Sequence, residues 1–365
     1  MKRQRRALLT IGLTGGLLLG TMALQVLGED PAVSLWERRK LARFPEASVE
    51  KLLEGRLVPE LEAYLADSFP FRDGFRRVKA LLETQVFGKL DTNGYYKADG
   101  HISRLAYPLE EAQVALAAKK MQEIQKRHLG GMKVHYAAIP DKNYYLAEPN
   151  GYPSMDYGRL TEILQEDLRD MAPIDLFDCL DREDYYKTDP HWRQERLDRV
   201  VRRLGEEMGF VPTPFDRYER KVRPGFYGAY AGQSALGTKP EELVHLMGGG
   251  ILETKAYHAD KDEWTGVYVE SADLAMDGYS YYLGGAAALQ VLVNPAGETG
   301  RELILFRDSF AAPLAPLLME AYDKVTLVDL RYMPSGLLGE HIDFGDQDVL
   351  FLYSTLVLNN GGVLR

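Results

Sequence analysis

Apolar residues crowd the start of the chain. From Ala7 to Gly28 there is no charge, a run of about 33 Å as a helix against a bilayer core of about 30 Å. Lys2, Arg3, Arg5 and Arg6 precede it. Such a basic cluster stays cytoplasmic and places the rest of the chain outside. A cleaved signal peptide is the rival reading, but it needs a shorter apolar region and an A-x-A-like site, and no such site stands out. Residues 1–28 are therefore expected to be a signal anchor or signal peptide. Leu52, Leu53, Leu57, Leu61 and Leu65 recur at helical spacing and predict a helix over Val49–Leu65. Asp67-Ser-Phe-Pro ends it, and a second helix is expected over Phe71–Phe87, packed through Phe75, Val78, Leu82 and Val86. Residues 29–90 thus read as a linker followed by helices.

From residue 91 onward the pattern changes. Gly94-Tyr-Tyr-Lys-Ala-Asp-Gly-His-Ile-Ser predicts a β-hairpin turning at Asp99-Gly100. Helices are expected over Leu109–Leu129, Asp156–Met171, His191–Met208 and Ala311–Tyr322. Strands are expected at Lys133–Ile139 and Ile174–Phe177. The short apolar runs Leu289–Val293, Leu303–Phe306, Val325–Leu330 and Val349–Tyr353 look like buried parallel strands. Strands alternating with helices imply an α/β fold, a mostly parallel sheet flanked by helices. Residues 212–285, rich in Gly and Tyr, read as an irregular insertion into a domain spanning 91–365.

Composition narrows the function. A formal net charge of −10 and the lack of a basic stretch beyond the N-terminus speak against nucleic-acid binding. The lone Cys179 sits in no redox or metal motif and reads as a small buried residue. No cofactor is expected.

Two short segments carry chemistry. Ser309 lies just past a buried strand and at the start of a helix, where parallel sheets gather functional groups and where free amides can stabilise an oxyanion. Taken alone, Asp308-Ser309 reads first as a helix cap. In Tyr185-Tyr-Lys-Thr-Asp-Pro-His-Trp, Asp189 and His191 stand two apart. A serine hydroxyl needs a base, imidazole supplies one, and a carboxylate orients the imidazole. Asp189 could instead cap a helix beginning at Pro190. A metal site using Asp181 or Asp184 is another reading, but no HxH or HExxH spacing accompanies it.

Together these segments resemble the DHHW family, related to the SGNH-hydrolase-like acetyltransferases of bacterial exopolysaccharides such as the alginate O-acetyltransferases. Trp36-Glu-Arg-Arg-Lys-Leu-Ala-Arg-Phe-Pro, Tyr64-Leu-Ala-Asp-Ser-Phe-Pro-Phe-Arg, Tyr279-Ser-Tyr-Tyr-Leu-Gly-Gly and Val325-Thr-Leu-Val-Asp-Leu-Arg-Tyr are similar to further motifs of that family. The resemblance implies a Ser309–His191–Asp189 triad, acetyl transfer to a polysaccharide hydroxyl outside the membrane, and a membrane-bound O-acyltransferase that supplies the acetyl group. Pro190, Arg307 and Ala286 depart from the family pattern. Ala286 removes a side-chain oxyanion donor and leaves backbone donors at Ser309, Gly284 or Gly285.

Expected substrate contacts are Trp192, Tyr186, Tyr281, Arg307, Asp141 and Lys142. Alternatives are packing for the aromatic residues, an ion pair with Asp308 for Arg307, and for Asp141 the place of Asp189 as the carboxylate that orients His191. An esterase would use the same triad with water as acceptor, and a non-catalytic glycan-binding envelope protein would keep only the fold.

Overall fold

The structure is a computed structural model that describes residues 2–28, 30–270 and 277–365. The chain divides into two compact units, Met1–Thr92 with Gly232–Gly237, and Asn93–Ala231 with Thr238–Arg365.

The first unit opens with α1 (Lys2–Leu27), exposed along its length and the one helix among the described residues long and apolar enough to cross a membrane. Two helices, α2 (Val49–Leu53) and α3 (Leu57–Asp67), stand where one was expected over Val49–Leu65. Gly55 interrupts them in the left-handed region at φ 71°, a conformation that stops a helix and suits glycine. Next, α4 (Arg72–Leu81) runs into a π-helical turn over Leu82–Val86. The face expected to pack is open instead, with Phe75, Val78, Leu82 and Val86 all exposed.

In the second unit, β1 (Tyr95–Ala98) and β2 (His101–Arg104) form the expected hairpin. Asp99 and Gly100 both take positive φ, as a two-residue turn matched to strand twist requires. Then come α5 (Glu111–His128), β3 (Val134–Ile139), α6 (Tyr157–Asp167), β4 (Ala172–Pro173) and α7 (Asp198–Met208). The chain continues through β5 (Glu219–Phe226), β6 (Glu241–Met247), β7 (Lys255–His258), β8 (Glu263–Gly266) and β9 (Leu289–Val293). It closes with β10 (Glu302–Arg307), α8 (Ala311–Leu318), β11 (Lys324–Val328) and β12 (Asp348–Ser354). Eight strands form one sheet in the order β8-β7-β9-β11-β10-β12-β3-β4. From β11 to β4 neighbours are parallel, while β9, β7 and β8 add antiparallel strands at the other edge.

Three expectations change here. Leu289–Val293 is antiparallel to β11, because a strand buried on both faces reads alike in either direction. Residues 212–285 are not an irregular insertion: β5 and β6 pair as a hairpin, and β7 and β8 extend the sheet. Residues 271–276 of that stretch lie outside the described residues. The segment expected as a strand at 174–177 leads into a 3₁₀ turn at Phe177–Cys179.

Alternate residues of the central strands feed two cores. Leu303, Leu305, Leu350 and Leu352 join α7 and α8 on one face. Ile304, Phe306, Val349 and Phe351 join α5 and α6 on the other, as the two-residue period of a strand dictates. Helix α7 contributes Val200, Val201, Leu204 and Met208, a stripe at helical spacing. Leu305 is fully buried in the middle strand. Leu305→Ala is expected to lower unfolding free energy by about 2–5 kcal/mol in urea titrations.

Candidate active site

Strand β10 delivers its C-terminal residues to the carboxyl edge of the parallel strands, and there the chain turns sharply into α8. Asp308 holds that turn. Its Oδ1 accepts from the Phe310 amide at 3.0 Å, and its Oδ2 accepts from the amide and hydroxyl of Ser354 at 2.8 and 2.6 Å. Ser354 ends the neighbouring strand β12, so one buried carboxylate pins the Ser309 turn to the adjacent strand. Asp308 therefore holds the turn, while α8 itself starts after Phe310 with no side-chain cap. Ser309 is left partly exposed, and its amide donates to no acceptor among the described residues.

The Asp189–His191 segment approaches from the other side. No helix begins at Pro190. The Tyr186 amide donates to the His191 carbonyl at 3.1 Å, and the Arg193 amide to that of Asp184 at 2.7 Å. The backbone thus folds into a tight hairpin-like loop, a 3₁₀ turn comes next at Gln194–Arg196, and α7 starts only at Asp198. Asp189 sits fully buried at the tip. Its Oδ1 lies 2.5 Å from His191 Nδ1 and accepts from the His191 amide at 3.1 Å, while Oδ2 accepts from the Ala229 amide at 2.8 Å. Gly228 makes this approach possible, because a methyl there would overlap the Thr188 carbonyl and Asp189 Cβ.

His191 Nε2 lies 2.7 Å from Ser309 Oγ. With Nδ1 facing a carboxylate, the proton belongs on Nδ1, and Nε2 is the acceptor for the serine hydroxyl. The ring has little freedom. Tyr279 stacks on it at 3.8 Å with planes 9° apart, and Phe310 packs at 4.8 Å. Geometrically the three residues form a hydroxyl–imidazole–carboxylate relay, open to solvent at the serine end.

The other expected contacts take different places. Trp192 is fully buried, and its Nε1 donates to the Phe310 carbonyl at 2.7 Å. It braces the histidine segment against the serine segment and offers no free face to a sugar. Tyr186 is equally buried, its ring between Phe226 and the Arg193 guanidinium. Arg307 is enclosed beneath the site and donates to Gln290 Oε1 at 2.7 Å, so it does not meet Asp308 as an ion pair or reach a substrate carboxylate. Gln290 in turn donates to the Leu283 carbonyl at 2.7 Å. Through Gln290 of β9 the two bonds tie β10 to a loop in which Leu283, Gly284 and Gly285 all take positive φ, a strained run for a leucine. Gly284 packs near His258 and Val269, and the Gly285 amide faces the Tyr282 carbonyl at 3.4 Å. Tyr281 is buried against Tyr268 and His245.

Asp141 does not serve the histidine. Its Oδ2 accepts from Tyr157 at 2.9 Å and Thr355 at 2.7 Å, and burial raises its pKa. Lys142 is a buried strut. Its Nζ donates to the carbonyls of Tyr186 and Lys187 at 2.9 and 3.3 Å and lies 5.1 Å from the Tyr230 ring centre. It therefore supports the loop that carries Asp189 and His191. Among the described residues no group of three or more His, Cys, Asp or Glu could hold a metal ion.

Tyr279, Gln194 and the Asp308–Ser354 contact carry no chemical signature in the sequence. Gln194 Nε2 donates to the Pro313 carbonyl at 2.8 Å, and its Oε1 accepts from the Leu246 amide at 2.8 Å. Only the recurrence of Tyr279 in a family-like motif pointed toward it.

Burial pushes the Lys142 pKa down to about 7, against the opposing pull of Glu241, Asp189 and Asp141. Between that value and the ordinary 10.5, the unfolded chain holds more protons than the folded one, so this group adds stability as pH rises. Melting temperatures at pH 6.5 and 9.5 are expected to show wild type gaining on Lys142→Met at the higher pH. A pH-independent gap would contradict an ionisable lysine in that position.

No family model matches the chain, and no curated protein does. Solved structures do. A DHHW family protein from Eubacterium siraeum aligns over 75% of this chain and 95% of its own, at TM-score 0.62 and 19% identity. Bacillus cereus PatB1 aligns over 72% of this chain and 96% of its own, at TM-score 0.57 and 19% identity, and a second PatB1 structure carries a sulfonyl adduct. The chain shares the α/β fold of these two proteins.

Proposed function

We propose that the protein is an extracytoplasmic serine O-acetyltransferase acting on a cell-surface or exopolysaccharide. The observation that carries this reading is the Ser309–His191–Asp189 relay, with heavy-atom separations of 2.7 and 2.5 Å. His191 takes the Ser309 proton as Oγ bonds to the acyl carbonyl carbon of the donor. The unengaged Ser309 amide stabilises the resulting oxyanion, with Gly284 or Gly285 as a second donor once substrate is in place. The leaving group departs with the proton from His191, and Ser309 holds the acyl ester. His191 then takes a proton from a sugar hydroxyl, the oxygen attacks the ester, and Ser309 recovers its hydrogen. Asp189 stabilises the transient imidazolium in both halves.

The exposed apolar helix α1 supports residence at the membrane, with the basic residues before it inside and the site outside. The resemblance to the DHHW family supports an acetyl supply from a membrane-bound O-acyltransferase. Hydrolysis needs only water in place of the sugar.

A chromogenic acetyl ester, with and without oligosaccharide acceptors, tests the reaction. Wild type is expected to release the chromophore, to lose activity on treatment with a sulfonyl fluoride, and to yield acetylated sugar. Ser309→Ala is expected to abolish turnover, and Asp189→Asn to lower kcat by about 10³–10⁴-fold. Acetate release indifferent to every sugar would favour the esterase, and turnover surviving Ser309→Ala would end the triad reading.

A further inference from the structure

The hairpin β5–β6 places charged and polar side chains on one face. Lys221 and Arg223 are two apart on β5, and His245 stands directly opposite Lys221 on β6. With Lys255, Tyr268, Glu270 and Tyr281 they line a cavity of about 500 Å³. The lining has three cations against one carboxylate, in a chain whose net charge is −10. Glu270 pairs with Arg223, and Lys221 with Glu219. Lys255 has no ion-pair partner among the described residues.

Two polar atoms of this lining are buried without a hydrogen-bond partner, His245 Nδ1 and Arg223 Nε. Buried orphan atoms of this kind are uncommon and ask for an explanation. The hydrogen-bond chain fixes what His245 offers. The Tyr281 hydroxyl donates to Glu270 Oε1 at 3.2 Å, because a carboxylate can only accept. It must therefore accept from His245, whose Nε2 lies 3.1 Å away. The proton sits on Nε2, and Nδ1 is a bare acceptor. Burial, followed by the Arg223 charge, lowers the His245 pKa to about 4, so the ring is neutral. An occupant must then supply a donor to Nδ1, an acceptor to Arg223 Nε, and negative charge to Lys255.

We propose that this cavity is a second ligand site that takes a hydroxylated anion, namely an acidic sugar unit, bearing carboxylate or phosphate, of the acceptor polymer. A sugar hydroxyl meets Nδ1, and the anionic group meets Arg223 and Lys255. The site adjoins the reacting groups along the chain: Tyr281 lies in the same 3₁₀ turn, Gly278–Tyr281, as Tyr279, which stacks on His191. Assigning the ligand to the acceptor rests on the acyl-transfer reading. The existence of the site does not.

Calorimetric titration of the full-length protein in detergent tests the site, with hexagalacturonate, oligo(glycerol phosphate) and neutral maltohexaose as probes. One acidic probe is expected to bind at least tenfold more tightly than the neutral one, and the tighter of the two identifies carboxylate or phosphate. His245→Phe keeps the ring and removes the acceptor. Lys255→Ala alters an exposed side chain, so it remains informative if the first variant misfolds. Each is expected to weaken acidic binding by about tenfold, the loss of one charge-assisted or buried hydrogen bond. Equal binding of neutral and acidic probes, absence of acidic binding, or unchanged affinity in folded variants would overturn the site. His245-dependent acidic binding without Ser309-dependent acyl turnover would leave the site standing and remove the acyl-transfer reading.

Discussion

The site depends on a pair of side chains that bind two distant segments together. Trp192 and Gln194 donate to the carbonyls of Phe310 and Pro313, immediately beyond the serine. Through them the strip carrying His191 is fastened to the strip carrying Ser309, and the imidazole–hydroxyl distance results from that fastening. Both donors are fully buried, and losing either bond would leave a desolvated polar group behind. The cost of breaking the arrangement therefore greatly exceeds the small net worth of a hydrogen bond in water.

Around that junction the protein buries an unusual set of polar groups, and each has a mechanical task. Asp308 joins the serine turn to β12 through Ser354. Arg307 and Gln290 join β10 to the strained Leu283 loop. Lys142 holds the carbonyls that precede Asp189. Burying such groups without partners would cost several kcal/mol apiece. Linked into networks they restrict the backbone to one arrangement and so hold Ser309, His191 and Asp189 in line.

The antiparallel strands β9, β7 and β8 alter the setting of an otherwise parallel sheet. Gln290 lies on β9 and bonds both Arg307 and His258 of β7, so the added edge is coupled to the serine strand by side chains as well as by the ladder. The β5–β6 hairpin meets the histidine loop through Glu241, which accepts from the amides of Lys187 and Thr188 at 2.7 Å. One hairpin thus supports the histidine loop through the start of β6 and lines the polar cavity with side chains from both of its strands.

Much was legible in the residues alone. The charge-free N-terminal run, the Asp99-Gly100 turn, the alternating strands, the Asp-x-His segment and the serine beyond a strand are local patterns, set by backbone period, turn stereochemistry and side-chain chemistry; that the last two belong together came from the family resemblance. What local pattern cannot encode is direction and company. Leu289–Val293 has the same apolar profile whether it runs with or against β11. Trp192, Tyr186, Lys142 and Arg307 have side chains equally suited to touching a sugar or bracing a loop. Only the tertiary structure decided that they brace, because it alone determines which carbonyls and aromatic faces surround them and whether any water remains. The sequence by itself determined which side chains are capable of chemistry, and the fold decided which of them stand together at the surface and which are enclosed, because only packing sets their neighbours.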